Sequence, residues 1–95
     1  MKMEKIIISE YCSHYNIETS FVEVLEEMGI LEISRQENEI FLDPECLQDL
    51  ERCRQLHYDL HVNPEGIDVI LNLLKKQTKL SNEILELKNR LKLHE

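Results

Sequence analysis

Apolar positions in the first third of the chain recur with helical spacing. A short helix is expected from Ser9 to about Tyr15, with Ser9 as its N-cap. A second helix is expected over residues 20–28, where apolar residues follow the i, i+3, i+4, i+7 pattern. Ser20 and Glu23 have the spacing of a capping box at its start. The pattern therefore predicts two short helices joined by a turn.

Glycine is rare in this chain, so the position of each glycine is informative. Gly29 directly follows the second helix and predicts its C-terminal end. Two apolar runs, residues 30–33 and 40–42, then surround a polar stretch at residues 34–39. Short apolar runs on either side of a polar turn predict a β-hairpin.

Two proline-containing triplets mark the starts of the remaining helices. Asp43-Pro44-Glu45 places a capping aspartate before a proline at the first helical position, and Asn63-Pro64-Glu65 repeats the arrangement with asparagine. The third helix is expected to end near Leu60. After Pro64 only Gly66, in the first turn, disfavours a helix, which predicts a final helix of about 30 residues and roughly 45 Å.

The final helix carries two apolar stripes. One has the seven-residue repeat of a coiled-coil seam, with its a and d positions filled. The residues of this heptad seam, which are the expected dimer interface, are Ile70, Leu73, Gln77, Leu80, Ile84, Leu87 and Leu91. The second stripe is expected to pack against the preceding part of the chain and consists of Ile67, Leu71, Leu74 and Thr78. Because the seam extends beyond the reach of a small core, the sequence predicts a homodimer.

The net charge of −8 is unevenly distributed. Residues 20–61 contain eleven acidic and three basic residues, a balance of −8, while residues 1–19 contribute −1 and residues 62–95 contribute +1. A nucleic-acid-binding surface needs the opposite sign. No apolar run approaches the roughly 20 residues of a membrane span, and the N-terminal apolar run is too short for a signal peptide. We therefore expect a cytoplasmic protein without a membrane or nucleic-acid partner.

Candidate reactive residues are few. Cys12, Cys46 and Cys53 form no Cys-x-x-Cys pair, which is typical of a reducing compartment. Cys46, Cys53 and His57 fall near one helix face, with His61 four residues further on, but no second pair of ligands accompanies them. We expect buried cysteines beside surface histidines rather than a metal site. No phosphate-binding loop or nucleophile motif occurs, so neither catalysis nor a cofactor is expected.

Three segments resemble the MerR-type proteins. They are Ile8-Ser9-Glu10-Tyr11, Glu26-Glu27-Met28-Gly29-Ile30-Leu31, and the helix start Asp43-Pro44-Glu45 with Leu47 and Leu50 after it. This resemblance implies a mainly α fold in one structural domain. A MerR-like winged helix-turn-helix head with a short β-hairpin wing would occupy residues 1–62. A long C-terminal dimerisation helix would occupy residues 63–95.

A narrower resemblance lies in the final helix. The segment Asn63-Pro64-Glu65-Gly66-Ile67-Asp68-Val69-Ile70-Leu71, with Leu80, Glu83 and the later Leu87-Lys88-x-Arg90-Leu91, is similar to the CbpM-type chaperone modulators. This resemblance implies a protein without chemistry of its own. Such a protein binds the J-domain of a DnaJ- or CbpA-like co-chaperone and inhibits it.

The broader resemblance implies an alternative, a DNA-binding transcriptional regulator that lacks an effector domain. In MerR regulators the second helix carries an arginine-tyrosine-tyrosine-glutamate-arginine run and enters the major groove. The corresponding segment here is Glu23-Val24-Leu25-Glu26-Glu27, with glutamate at both arginine positions. In the wing, Glu39-Ile40-Phe41 replaces a glycine-tyrosine-arginine segment, which leaves Arg35 as the candidate phosphate contact.

The same surface suits a basic protein partner better than DNA. Electrostatic complementarity to a basic J-domain helix would favour specificity and fast association. The expected partner-binding residues are Glu23, Glu26, Glu27, Glu37 and Glu39. The plainer interpretation, a charged face that keeps a small domain soluble, remains open.

Overall fold

A computed structural model describes residues 5–93 and has the expected mainly α architecture. The helices are α1 (Ile8–Tyr15), α2 (Thr19–Glu27), α3 (Leu47–Arg54) and α4 (Pro64–Leu93), and the strands are β1 (Ile6–Ile7), β2 (Ile33–Gln36) and β3 (Glu39–Leu42). A 3-10 turn at Pro44–Cys46 precedes α3, and a π-helical turn at Gln55–Asp59 follows it. The outermost residues of the predicted head and long helix, 1–4 and 94–95, lie outside the described residues. So does the start of the N-terminal run considered as a signal peptide.

The predicted caps of α1 and α2, Ser9 and Ser20, are each wrong by two residues. Ile7 is the N-cap of α1, because the chain passes directly from β1 into the helix and leaves Ser9 inside the first turn. Glu18 is the N-cap of α2, so Ser20 also lies inside its helix and donates a hydrogen bond to Glu18 Oε2 at 3.3 Å. Tertiary contacts set both starts: strand pairing holds Ile7, and Tyr58 Oη accepts from the Glu18 amide at 3.1 Å.

The predicted end of α2 at Gly29 is confirmed. Gly29 has a φ of 78°, a left-handed conformation that glycine adopts without a Cβ clash. Its amide donates to the Glu26 carbonyl, and the Ile30 amide donates to the Leu25 carbonyl, both at 2.9 Å. These two bonds form a Schellman motif, which turns the chain toward the sheet.

The hairpin is present, but its strands differ from the prediction. Residues 30–31 belong to the end of α2 and its connection. Of the polar stretch 34–39 that the pattern predicts as the turn, residues 34–36 belong to β2 and Glu39 belongs to β3. The turn consists of Glu37 and Asn38, whose φ angles of 49° and 69° define the tight two-residue connection that suits hairpin twist. The two-residue strand β1 was not predicted; it pairs Ile6 with Leu42, which gives the strand order β1-β3-β2.

Both proline-marked helix starts are confirmed. The Asp43 carboxylate accepts a hydrogen bond from the Glu45 amide at 3.1 Å, and the Asn63 side chain accepts one from the Gly66 amide at 2.7 Å. Between them, His61 reverses the chain with a φ of 59°. The helical segment that follows Asp43 therefore ends before His61, and α4 begins in a new direction at Pro64.

The core lies where the sheet, the three short helices and the first turns of α4 meet. Its fully buried side chains include Ile8, Val22, Leu25, Leu42, Leu50, Cys53 and Ile67. The prediction for the second stripe of α4 is correct for Ile67, Leu71 and Leu74, which pack in or against this core. It is wrong for Thr78, which is exposed and bonds to its own helix through the Leu74 carbonyl at 3.1 Å.

The long helix extends well beyond the head. Residues 75–93 are all exposed, and the chain measures 59 Å along its longest axis. Within residues 5–93, no helix combines the length and the apolar character needed to cross a membrane.

Candidate functional site

Helix α2 presents an acidic face to solvent. Phe21, Val22 and Leu25 are buried on its inner side, while Glu23 and Glu27 are exposed on its outer side. This arrangement follows from amphipathic spacing, because one face of the helix must cover the core. Both glutamates are therefore accessible to a partner, while their role in partner binding stays a prediction.

Glu26 differs from its two acidic neighbours because it is already paired. Arg35 on β2 donates from Nη2 to Glu26 Oε1 at 3.0 Å and from Nη1 to Glu26 Oε2 at 3.3 Å. The hydrogen bond to Glu26 raises the pKa of Arg35, and the negative charges of Glu26 and Glu23 add to that effect. Arg35, the candidate phosphate contact, thus points its guanidinium at a carboxylate of α2.

The remaining predicted contact residues lie on the wing. Glu37 forms the tip of the hairpin with Asn38, and Glu39 begins β3; both glutamates are exposed. Ser9 donates to Glu39 Oε2 at 3.2 Å, which joins the wing to α1. The structure therefore joins Glu26 to Arg35, with Glu23 near enough for its charge to act on Arg35, while Glu37 and Glu39 occupy the far end of the hairpin.

An aromatic cluster between α1 and α3 is a feature that the sequence does not predict. The Arg54 guanidinium lies 4.1 Å from the Tyr15 ring centroid and donates to Tyr11 Oη at 3.2 Å. Burial raises the pKa of Tyr11, partly offset by its hydrogen bond with Arg54. Tyrosine and arginine are enriched in protein interfaces, and Tyr15 is 38% exposed. Sequence spacing gave no signal, because α3 meets α1 only in the folded chain.

The heptad seam is open to solvent in the single chain. Beyond Ile70, the leucine and isoleucine side chains of the seam are each more than half exposed: Leu73, Leu80, Ile84, Leu87 and Leu91. Ile70 is half-buried at the junction with the head, and Gln77 is exposed. Contiguous exposed apolar surface of this kind marks interaction sites in soluble proteins.

Cys53 and His57, two of the candidate metal ligands, are held in the folded chain by burial, ring stacking and a hydrogen bond. Burial, with the nearby charge of Asp49, raises the pKa of Cys53 to about 12, so its thiol is uncharged and a poor metal ligand. His57 stacks on Phe21 with ring centroids 4.5 Å apart, and its Nδ1 donates to the Val62 carbonyl at 2.9 Å. Across residues 5–93, no group of three or more histidine, cysteine or acidic side chains could hold a metal ion.

The fold and its surfaces define a class of protein: a winged helix-turn-helix head carried on one long helix. Comparison with protein families matches residues 6–89, most of the chain, to the family described as MerR HTH family regulatory protein. The chain belongs to this family. Neither the curated proteins nor the solved structures contain a significant match to the chain. Membership supports a regulatory role and leaves the regulated partner open.

Proposed function

We propose that this protein is a non-enzymatic regulator that binds the J-domain of a DnaJ- or CbpA-like co-chaperone and inhibits it. The binding surface in this proposal is the acidic face formed by α2 and the wing. The observation that carries the proposal is the exposure of Glu23 and Glu27 on the helix that a DNA-binding relative would insert into the major groove.

The electrostatics of the head favour a basic protein partner over DNA. Residues 20–61 contain eleven acidic residues and three arginines. Of these arginines, Arg35 is bonded to Glu26 and Arg54 is engaged with Tyr11 and Tyr15. Affinity for DNA depends on cations that contact phosphate, and this face offers mainly carboxylates. DNA binding remains the second candidate function because of the family to which the chain belongs.

The choice of a J-domain rests on the resemblance of the α4 segment to CbpM-type modulators. By that resemblance, the partner presents a basic helix that normally contacts its Hsp70. An acidic surface that captures this helix would compete with the Hsp70 for it. Complementary charges at the rim of such an interface raise the association rate and reject partners of the wrong sign. We further propose that the protein acts in the cytoplasm as a homodimer through the heptad seam.

Charge reversal on α2 tests this proposal. The double substitution Glu23→Lys and Glu27→Lys should weaken binding to a purified J-domain, mainly by lowering the association rate. Wild-type affinity should itself decrease as salt rises, because exposed charges are screened. Surface plasmon resonance at two ionic strengths measures both effects, and circular dichroism verifies that the variants are folded.

Two controls accompany the double reversal. Glu10→Lys with Asp59→Lys changes the net charge by the same amount from other exposed positions. Ser81→Ala, at an exposed position of α4, changes no charge and should leave J-domain binding intact. Salt-independent binding that survives the Glu23 and Glu27 reversals would place the interface elsewhere, and the absence of J-domain binding would contradict the proposal.

A further inference from the structure

The C-terminal half of α2 carries negative charge that its own helix does not balance. Glu23, Glu26 and Glu27 have i, i+3 and i+4 spacing, which makes them neighbours that repel one another on the helix surface. A helix C-terminus favours cations, yet the last turn of α2 contains no basic residue. Arg35 supplies the missing positive charge from the wing.

The contact with Arg35 indicates which kind of cation suits this surface. Two guanidinium nitrogens meet the two oxygens of one carboxylate, which is the geometry in which arginine recognises a carboxylate specifically. Glu23 lies close enough for its charge to favour the protonated arginine as well. The Arg35 and Glu26 side chains are 57% and 27% exposed. An ion pair this accessible to water is weak and can be exchanged for another.

Arg35 stands on an edge strand of the sheet. The strand order β1-β3-β2 makes β2 an outer strand, bonded along one side to β3. Two residues after Arg35, the hairpin turns through Glu37 and Asn38, which both have positive φ. Arg35 is therefore on an exposed edge of the hairpin, where a partner can reach its ion pair with Glu26.

We propose that Arg35 is an internal competitor that occupies the carboxylate of Glu26 until an arginine of the basic partner displaces it. This inference deepens the proposed function and rests on it for the identity of the partner. The site prefers arginine to lysine, because an ammonium group cannot reproduce the bidentate contact with Glu26. Removal of Arg35 therefore strengthens binding of a basic partner. A regulator that used Arg35 to contact phosphate would instead lose affinity for DNA.

A double-mutant cycle tests the competition. The probes are a purified J-domain and two synthetic helical peptides of equal length and charge, one with arginine and one with lysine. Arg35→Gln should raise the affinity for the J-domain and the arginine peptide about threefold, the range expected when a weak exposed ion pair no longer competes. The lysine peptide should gain less. In a Glu26→Gln background the Arg35→Gln substitution should have no further effect.

The matched control is Arg52→Gln on α3, which removes the same charge from another exposed position of the head. An equal gain from Arg52→Gln, or a gain that persists in the Glu26→Gln background, would overturn the inference. If the J-domain binds but Arg35→Gln does not raise its affinity, the competition is refuted and the proposed partner stands. If Arg35→Gln raises the affinity for the arginine peptide as expected but the J-domain does not bind, the proposed partner is refuted and the competition stands. If none of the three probes binds, both proposals are wrong.

Discussion

The Gly66 amide donates a hydrogen bond of 2.7 Å to the Asn63 side chain, and this contact begins the 30-residue helix α4. A Cβ at position 66 would lie 3.0 Å from Asn63 Oδ1 and 2.8 Å from Val62 Cγ1. We expect Gly66→Ala to lower the free energy of unfolding by about 1 kcal/mol despite the better helix propensity of alanine, because the cap must shift. Urea titration measures this change.

The control for Gly66→Ala uses the same substitution in an Asn63→Ala background. The close contact with Asn63 Oδ1 is then absent, so Gly66→Ala should lower the free energy of unfolding by less than it does in the wild-type chain. A stabilisation of about 1 kcal/mol in the wild-type background would mean that the cap adjusts freely.

Cys53 should make stability depend on alkaline pH. Burial, followed by the charge of Asp49, raises its pKa from 9.0 to about 12. Above pH 9 the unfolded chain loses this proton while the folded chain keeps it, so the contribution to stability is complete below pH 9 and decreases toward pH 12. Cys53→Ala should be less stable than wild type at pH 7, and the difference should narrow above pH 9.

Urea unfolding at several pH values in reducing buffer measures the effect of Cys53. Cys46→Ala, at a half-buried position, is the control for losing a cysteine side chain. A Cys53→Ala difference that stays constant up to pH 11 would contradict this account.

No duplex DNA should bind specifically at physiological salt. The outer side of α2 carries glutamates, Thr19–Glu27 contains no lysine or arginine to read bases, and Arg35 on the wing is paired with Glu26. A gel-shift experiment at low ionic strength with the duplex upstream of its own gene is the most demanding test. A sequence-dependent shift with sub-micromolar affinity would favour the regulator alternative.

The dimer should depend on the distal part of the heptad seam. Ile84→Asp or Leu87→Asp should convert a dimer into a monomer, because each places an uncompensated charge in a desolvated contact. Light scattering at micromolar concentration measures the mass. Asn82→Asp, on the opposite side of the same helix turns, should leave the dimer intact. A wild-type chain that is monomeric at this concentration would contradict the prediction.

Gln77 occupies an a position of the seam and should limit its stability. Gln77→Ile replaces a polar side chain with a β-branched apolar one suited to this position, so the melting temperature should rise. Asn82→Ile provides the same change in side-chain type outside the seam and should not raise it. An unchanged or lower melting temperature for Gln77→Ile would mean that Gln77 does not contact a second helix.

Local chemistry explains why several elements could be predicted. The caps at Asp43 and Asn63, the end of α2 at Gly29 and the length of α4 each depend on side chains within a few residues of the backbone they organise. Because such signals do not depend on the rest of the fold, they can be recognised in the sequence. The outward position of Glu23 and Glu27 follows from the same helical periodicity.

Most of the errors occur where pairing with another element decides the outcome. Strand β1 is two residues long and exists because Ile6 and Ile7 pair with β3, more than thirty positions later. That pairing sets the start of α1 and leaves Ser9 inside the helix. Likewise, β2 reaches Gln36 because the turn closes at Glu37 and Asn38, although the polar residues before it resemble a loop.

The sequence alone determined the kind of molecule: an acidic head with three short helices and a hairpin, followed by a long helix with an apolar repeat, because periodicity, capping and charge are properties of neighbouring residues. Only the tertiary structure decided that Arg35 faces Glu26, that Arg54 stacks on Tyr15 and that the long helix leaves the core after Leu74. Those contacts join different elements. Their existence depends on how the helices and strands pack around one core, which residue spacing does not encode.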